Sequence, residues 1–106
     1  MVLIRDGKSI ACGGLRLIED DDSIAEIKRV YVVPEARGQA NGVADLLLKE
    51  LESHALSYGW TTLRLTTAKT MVAANRFYER HGYRLVPGYG EYTKSFFSNC
   101  YEKVIA

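Results

Sequence analysis

Residues 30–47, VYVVPEARGQANGVADLL, constrain this chain more than any other stretch. A β-branched and aromatic run stops at Pro34, which has no N–H to give to a strand ladder. Arg37, Gly38 and Gly42 follow. From Val43 the apolar residues recur as Val43, Leu47, Leu51 and Ala55, with Ala44, Leu46 and Leu48 alongside. That spacing is helical, and Asp45, Lys49, Glu50, Glu52 and Ser53 fall on its wet side. The helix is expected to stop near Tyr58–Gly59, since glycine is favoured just past a helix C-terminus. Residues 61–67, TTLRLTT, are rich in strand formers. Strand, helix and strand in this order imply a parallel βαβ crossover.

The flanking segments read as further strands. Residues 1–5 and 9–18 are joined by a turn at Asp6-Gly7-Lys8, and Asp-Gly is a strong hairpin signal. Gly13-Gly14 marks either a bulge or a close backbone approach. Glu19–Asp22 reads as an acidic turn before a third strand at 24–33. A short helix at 72–81 ends at Gly82, a strand covers 83–86, a loop 87–95, and a last strand 96–105. The expected fold is α+β, a single domain over 1–106 with a mixed, mostly antiparallel sheet and one parallel βαβ crossover. A chain of 106 residues fits one small domain. A net charge of +1 supplies no field for nucleic acid or membrane. No apolar run nears the ~20 residues of a membrane span. MVLIRDGKS meets Arg5 and Asp6 too early for a signal peptide, so the expected location is cytoplasmic. Cys12 and Cys100, with His54 and His81, show no metal-ligand spacing, and the thiols read as half-buried strand residues.

What the strand-to-helix turn holds has two readings. A helix N-terminus offers about four unpaired N–H groups and roughly half a positive charge, which suits phosphate. Gly38 and Gly42 would let the backbone come close to it, and Arg37 could add a guanidinium fork. The other reading is an ordinary connection with a solvated arginine. A P-loop is disfavoured because the lysine of GxxxxGK[ST] is missing. A dinucleotide fold is disfavoured because the next strand closes with Leu65-Thr66-Thr67-Ala68 and has no acid for a ribose.

From about residue 24 to residue 86 the chain resembles the GNAT superfamily of acyl-CoA-dependent N-acetyltransferases. The first matching segment is Val32-Val33-Pro34, then Arg37-Gly38-Gln39-Ala40-Asn41-Gly42, then the long helix. It follows that family's V-x-P and R/Q-x-x-G-x-G/A pattern, with Ala40 where glycine is usual. The second is Asn75-Arg76-Phe77-Tyr78-Glu79-Arg80-His81-Gly82-Tyr83, similar to N-x-x-[FY]-Y-x-[KR]-x-G-[FY]. The resemblance implies acetyl-CoA as acyl donor. It implies pyrophosphate contacts from Arg37, Gly38, Gln39, Ala40, Asn41 and Gly42. The peptide-like pantetheine arm would lie along Val30, Tyr31 and Val32, with Asn75 and Tyr78 on its other side.

The same resemblance implies transfer of acetyl to a primary amine of a small molecule or protein by direct attack. Glu26 is then the expected base and Tyr78 the acid for the departing thiolate. Each has a plainer reading, Glu26 as a solvated edge carboxylate and Tyr78 as a half-buried aromatic. Glu19–Asp22 and Glu91 could draw a cationic amine, or be solvated turns. Tyr89, Tyr92, Phe96 and Phe97 could line an acceptor cleft or a dimer seam. The family carries another strand and two helices ahead of this segment. The expectation is therefore an N-terminally abbreviated form, with a homodimer covering the exposed sheet. The alternative function is a non-catalytic acyl-CoA-binding or regulatory domain.

Overall fold

A computed structural model describes residues 1–18, 21–38, 42–88 and 97–106, with Asp21 and Asp22 in backbone only. The chain runs through Val2–Arg5 (β1), Lys8–Ile18 (β2), Asp21–Val32 (β3), a 3-10 turn at Pro34–Ala36, and Val43–Ser57 (α1). Thr62–Ala68 (β4), Val72–Arg80 (α2), Arg84–Val86 (β5) and Ser98–Val104 (β6) complete it. The strands form one sheet in the order β1-β2-β3-β4-β6-β5, antiparallel except for the β3–β4 pair. The α+β mixed sheet and its βαβ crossover are as the sequence implies. Strand β3 starts earlier than expected, because Asp21 already pairs with Ile18.

Both helices lie on one face of the sheet. Leu47, Leu48, Leu51 and Ala55 of α1 are buried against Ala25 and Ile27 of β3, Leu63 and Leu65 of β4, and Tyr101 of β6. Each fully buried leucine contributes about 1.5–3 kcal/mol through removal of apolar surface from water. From α1, Glu52 accepts hydrogen bonds from the Tyr83 hydroxyl and Lys103 Nζ. From α2, Glu79 accepts from the Tyr101 hydroxyl, and the Tyr78 ring packs against Tyr83 and Tyr101. No described helix is long and apolar enough to cross a membrane.

Gly13 is a point of close approach. A Cβ built on it would sit 3.1 Å from Leu51 Cδ1 and 3.6 Å from Leu47 Cδ2, so its lack of a side chain lets α1 settle onto β2. The bulge is on the facing strand. Cys12 pairs with Tyr31 and Gly14 with Lys28, so two residues of β3, Arg29 and Val30, oppose Gly13 alone. Arg29 carries the accompanying strain, with φ at 58°.

Candidate functional site

Strands β3 and β4 stay together for only three residue pairs, Ile24 with Thr62, Ala25 with Leu63 and Glu26 with Arg64. Beyond them β4 continues to Ala68 against β6 alone, and β3 continues to Val32 against β2 alone. Residues 27–32 thus present an edge with no β4 partner. It carries the bulge and includes Val30, Tyr31 and Val32, the residues expected to meet an extended arm. Unpaired strand edges take peptide-like partners by backbone hydrogen bonding.

The far end of this cleft meets the start of α1. Gly42 is the N-cap with φ at 64°, and it makes no side-chain capping bond. Gly38 has φ at 102°, and a Cβ placed on either glycine would meet no described residue within 4 Å. Positive φ favours glycine at both positions, and no described residue fills the space a side chain there would take. Arg37 is exposed and turned back onto the strand end. Its Nε donates to the Val32 carbonyl at 2.8 Å, and its guanidinium lies over the Tyr31 ring. Gln39, Ala40 and Asn41 lie outside the described residues, as do Glu19, Asp20, Tyr89, Glu91, Tyr92 and Phe96. Phe97 is described and exposed.

On the other bank, Asn75 and Tyr78 are the two buried residues of α2, one helical turn apart on the same side. The Asn75 carboxamide is committed to the end of β4. It accepts from the Thr67 hydroxyl and donates to the carbonyls of Ala68 and Lys69. It thereby fixes the helix that carries Tyr78. Burial raises the Tyr78 phenol above its ordinary pKa of 10.0. Its ring is held edge-on by Phe77 and Tyr83.

Glu26 sits at the apex where the strands part, on the sheet face away from the helices. Its side chain is 2% exposed and is ion-paired to Arg16 at 3.1 Å and Lys28 at 3.3 Å. Register places Arg16, Glu26, Arg64, Glu102 and Arg84 side by side on five strands, an alternating row of charge. Arg64 Nε meets Glu102 Oε2 at 2.7 Å within it.

The sequence matches a family described as an acetyltransferase (GNAT) domain over residues 1–85. The chain belongs to the GNAT family. A relative from Schizosaccharomyces pombe, an uncharacterised N-acetyltransferase, is 38% identical over 64 residues, 60% of this chain and 38% of that protein. An IAA acetyltransferase of Azospirillum brasilense is 28% identical over 92 residues, 87% of this chain and 58% of that protein. A solved Klebsiella pneumoniae structure described as an acyl-CoA N-acyltransferase superposes with a TM-score of 0.85 at 34% identity, over 94% of this chain and 66% of that one. PaiA N-acetyltransferase of Thermoplasma acidophilum, solved with coenzyme A, shares the fold at a TM-score of 0.78 and 23% identity, over 95% of this chain and 57% of that one. The chain thus spans less than two thirds of each of these relatives.

Within this GNAT domain one connection escaped sequence reasoning. Asp45, in the first turn of α1, accepts from His81 Nε2 at 2.6 Å and from Arg80 at 3.1 Å, both at the end of α2. It joins the glycine mouth to the helix of Tyr78. The His81 hydrogen bond above all, with Arg80, holds the Asp45 carboxyl below its ordinary 3.8 against the opposing effect of burial. A carboxyl depressed by folding adds stability above its unfolded pKa and loses it as pH falls through the lower folded value. Asp45→Asn is expected to lower stability at neutral pH by about 0.2–1 kcal/mol, the range for exposed pairs. Melting curves should show the gap to the unaltered chain closing on acidification below the carboxylate range. A gap that persists in strong acid would mean that the pair contributes by packing alone.

Proposed function

We propose that this GNAT domain transfers an acetyl group from acetyl-CoA to a primary amine of a small molecule or protein. The parting of β3 from β4 carries the reading, because it leaves a strand edge for a peptide-like arm that leads straight to the mouth of α1. The space before Gly38 and Gly42, which no described residue fills, fits a pyrophosphate approached by backbone N–H groups, with Arg37 beside it. Bound acetyl-CoA supplies an activated thioester and a leaving group whose thiol pKa is near 8.5.

The chain's own groups do the rest. Backbone N–H groups on the open edge of β3, at the end nearer Glu26, stabilise charge growing on the carbonyl oxygen. Glu26 takes the amine's proton through an intervening water, since the carboxylate is too deeply set for direct contact. Tyr78, kept neutral by burial, gives its proton to the departing sulfur. Asn75 holds the helix that aims it.

Two measurements test this. Coenzyme A at 100 times its Kd should raise stability by about 2.7 kcal/mol. Thiol release from acetyl-CoA should then depend on added amine. The absence of any shift would remove the donor site. A second reading, a CoA-binding module that transfers nothing, draws on the burial and ion pairing of Glu26. A thermal shift with no thiol release on any amine would establish it.

A further inference from the structure

We infer that the charge on His81, acting through Asp45, sets how tightly the mouth of α1 holds the donor's diphosphate. The inference rests on the donor site proposed above and names its regulation. Asp45 is the third residue of α1. Leu46 N–H opens the helical series by bonding to the Gly42 carbonyl at 3.0 Å, so the amides of Val43, Ala44 and Asp45 have no acceptor within the helix. Those amides are what an anion at the mouth would use. A carboxylate in the same turn is drawn by the same field, and its charge opposes a second anion there. In this chain α2 takes that carboxylate up. Asp45 Oδ1 accepts from His81 Nε2 at 2.6 Å and from Arg80 at 3.1 Å.

The balance of charge then turns on one imidazole. With His81 neutral, Arg80 offsets Asp45 and the three groups are neutral together. With His81 protonated, one positive charge remains beside the mouth. Histidine is the side chain that ordinarily changes charge between about pH 5 and 8. The hydrogen bond outlasts the change, because Nε2 can donate in either state. Asp45 keeps its charge across this range, since the His81 hydrogen bond above all holds its carboxyl below the ordinary 3.8. From α1, Asp45 faces the imidazole, with Lys49 one turn further on the same side. From α2, Arg80 shares its acceptor, and the Phe77 ring packs on it with centroids 4.7 Å apart. The other histidine, His54, lies in the last turn of α1, about 14 Å along the axis from Asp45 and beyond a Debye length.

The probe is dephospho-coenzyme A, which carries the diphosphate without the 3′-phosphate that would itself titrate in this range. Its Kd, measured by calorimetry at fixed ionic strength, should fall about fivefold as the pH is lowered from about 8 to 5, a modest coupling for partly exposed groups. His81→Gln should remove the step and bind as the unaltered protein does at the alkaline end, since an amide N–H can still donate to Asp45. Asp45→Asn keeps the shape and an accepting oxygen but removes the opposing charge, so it should bind the probe more tightly at every pH. A clasp that acts only as a mechanical tether gives the reverse. If either variant melts too low to titrate, the unaltered protein decides alone. Binding the probe should take up protons in this range, read by repeating the calorimetry in buffers of different ionisation enthalpy. A Kd flat with pH, no proton uptake, or weaker binding by Asp45→Asn overturns the inference and leaves the donor site standing. Binding of coenzyme A but not of the probe also overturns it, because the diphosphate would then not be what the mouth holds. No binding of either overturns both readings.

Discussion

Tyr78→Phe is expected to lower turnover about 10²- to 10⁴-fold, the usual worth of a positioned acid, while leaving the affinity for coenzyme A unchanged. The substitution removes one oxygen and keeps the ring among Phe77, Tyr83 and Tyr101, so the packing of α2 is preserved. Loss of rate with intact binding is the signature of a group used only as the bond breaks. The pH profile adds a second criterion. Burial raises the phenol's pKa, so the proton-bearing form persists throughout the neutral and mildly alkaline range. The rate should therefore rise with pH as the acceptor amine loses its proton, and no fall due to Tyr78 should appear below pH 10, the ordinary tyrosine value. Unchanged turnover in Tyr78→Phe would take the acid role away. A descending limb near neutrality in the unaltered protein, absent from the variant, would contradict the effect of burial.

Leu51→Ala is expected to cost about 2–5 kcal/mol, a large part of the stability of a domain this small. Leu51 is buried in the core, and its Cδ1 fills the space that Gly13 leaves vacant. Gly13→Ala alone puts a methyl 3.1 Å from that atom and 3.4 Å from Val30 Cγ2. Overpacking of this kind costs about 1–3 kcal/mol, against a gain of about 0.4–1 kcal/mol from a stiffer unfolded chain. In the double variant the clash with Leu51 is gone and the gain remains. Denaturant titration of all four proteins should give a double variant more stable than the sum of the single effects predicts. Strict additivity would mean that α1 and β2 relax apart independently of this contact.

The periodicity of Val43, Leu47, Leu51 and Ala55 was enough to place the long helix, because one apolar stripe must face a sheet. Pro34 and the Asp6-Gly7 turn punctuated the strands for equally local reasons. Spacing could not show where β3 leaves β4, because a strand looks the same whether one edge is paired or two. The bulge was legible only in part. Gly13 signalled a close approach, but the extra residue went to the facing strand, at Arg29, where nothing in the sequence marks it. The charged row was hidden for a related reason. Arg16, Glu26, Arg64 and Glu102 lie far apart in sequence, and only the register brings them abreast. Asp45 looked like a helix-face acid, and its bonds to Arg80 and His81 depend on how two helices end up side by side. Motif resemblance could point to Asn75 without showing that its carboxamide is taken up by the end of β4.

Among the described residues, three ladder pairs and a backbone bond from Thr61 N–H to the Ser23 carbonyl join the half-sheets β1-β2-β3 and β4-β6-β5. A sheet so nearly divided is weakest along the line where its chemistry is proposed to occur. A guest laid in that fissure acts as the missing rung, lending the protein a continuity its own backbone withholds. If the fissure takes the carrier's arm as proposed, occupancy and cohesion are coupled, and departure of the spent carrier would loosen the frame around it.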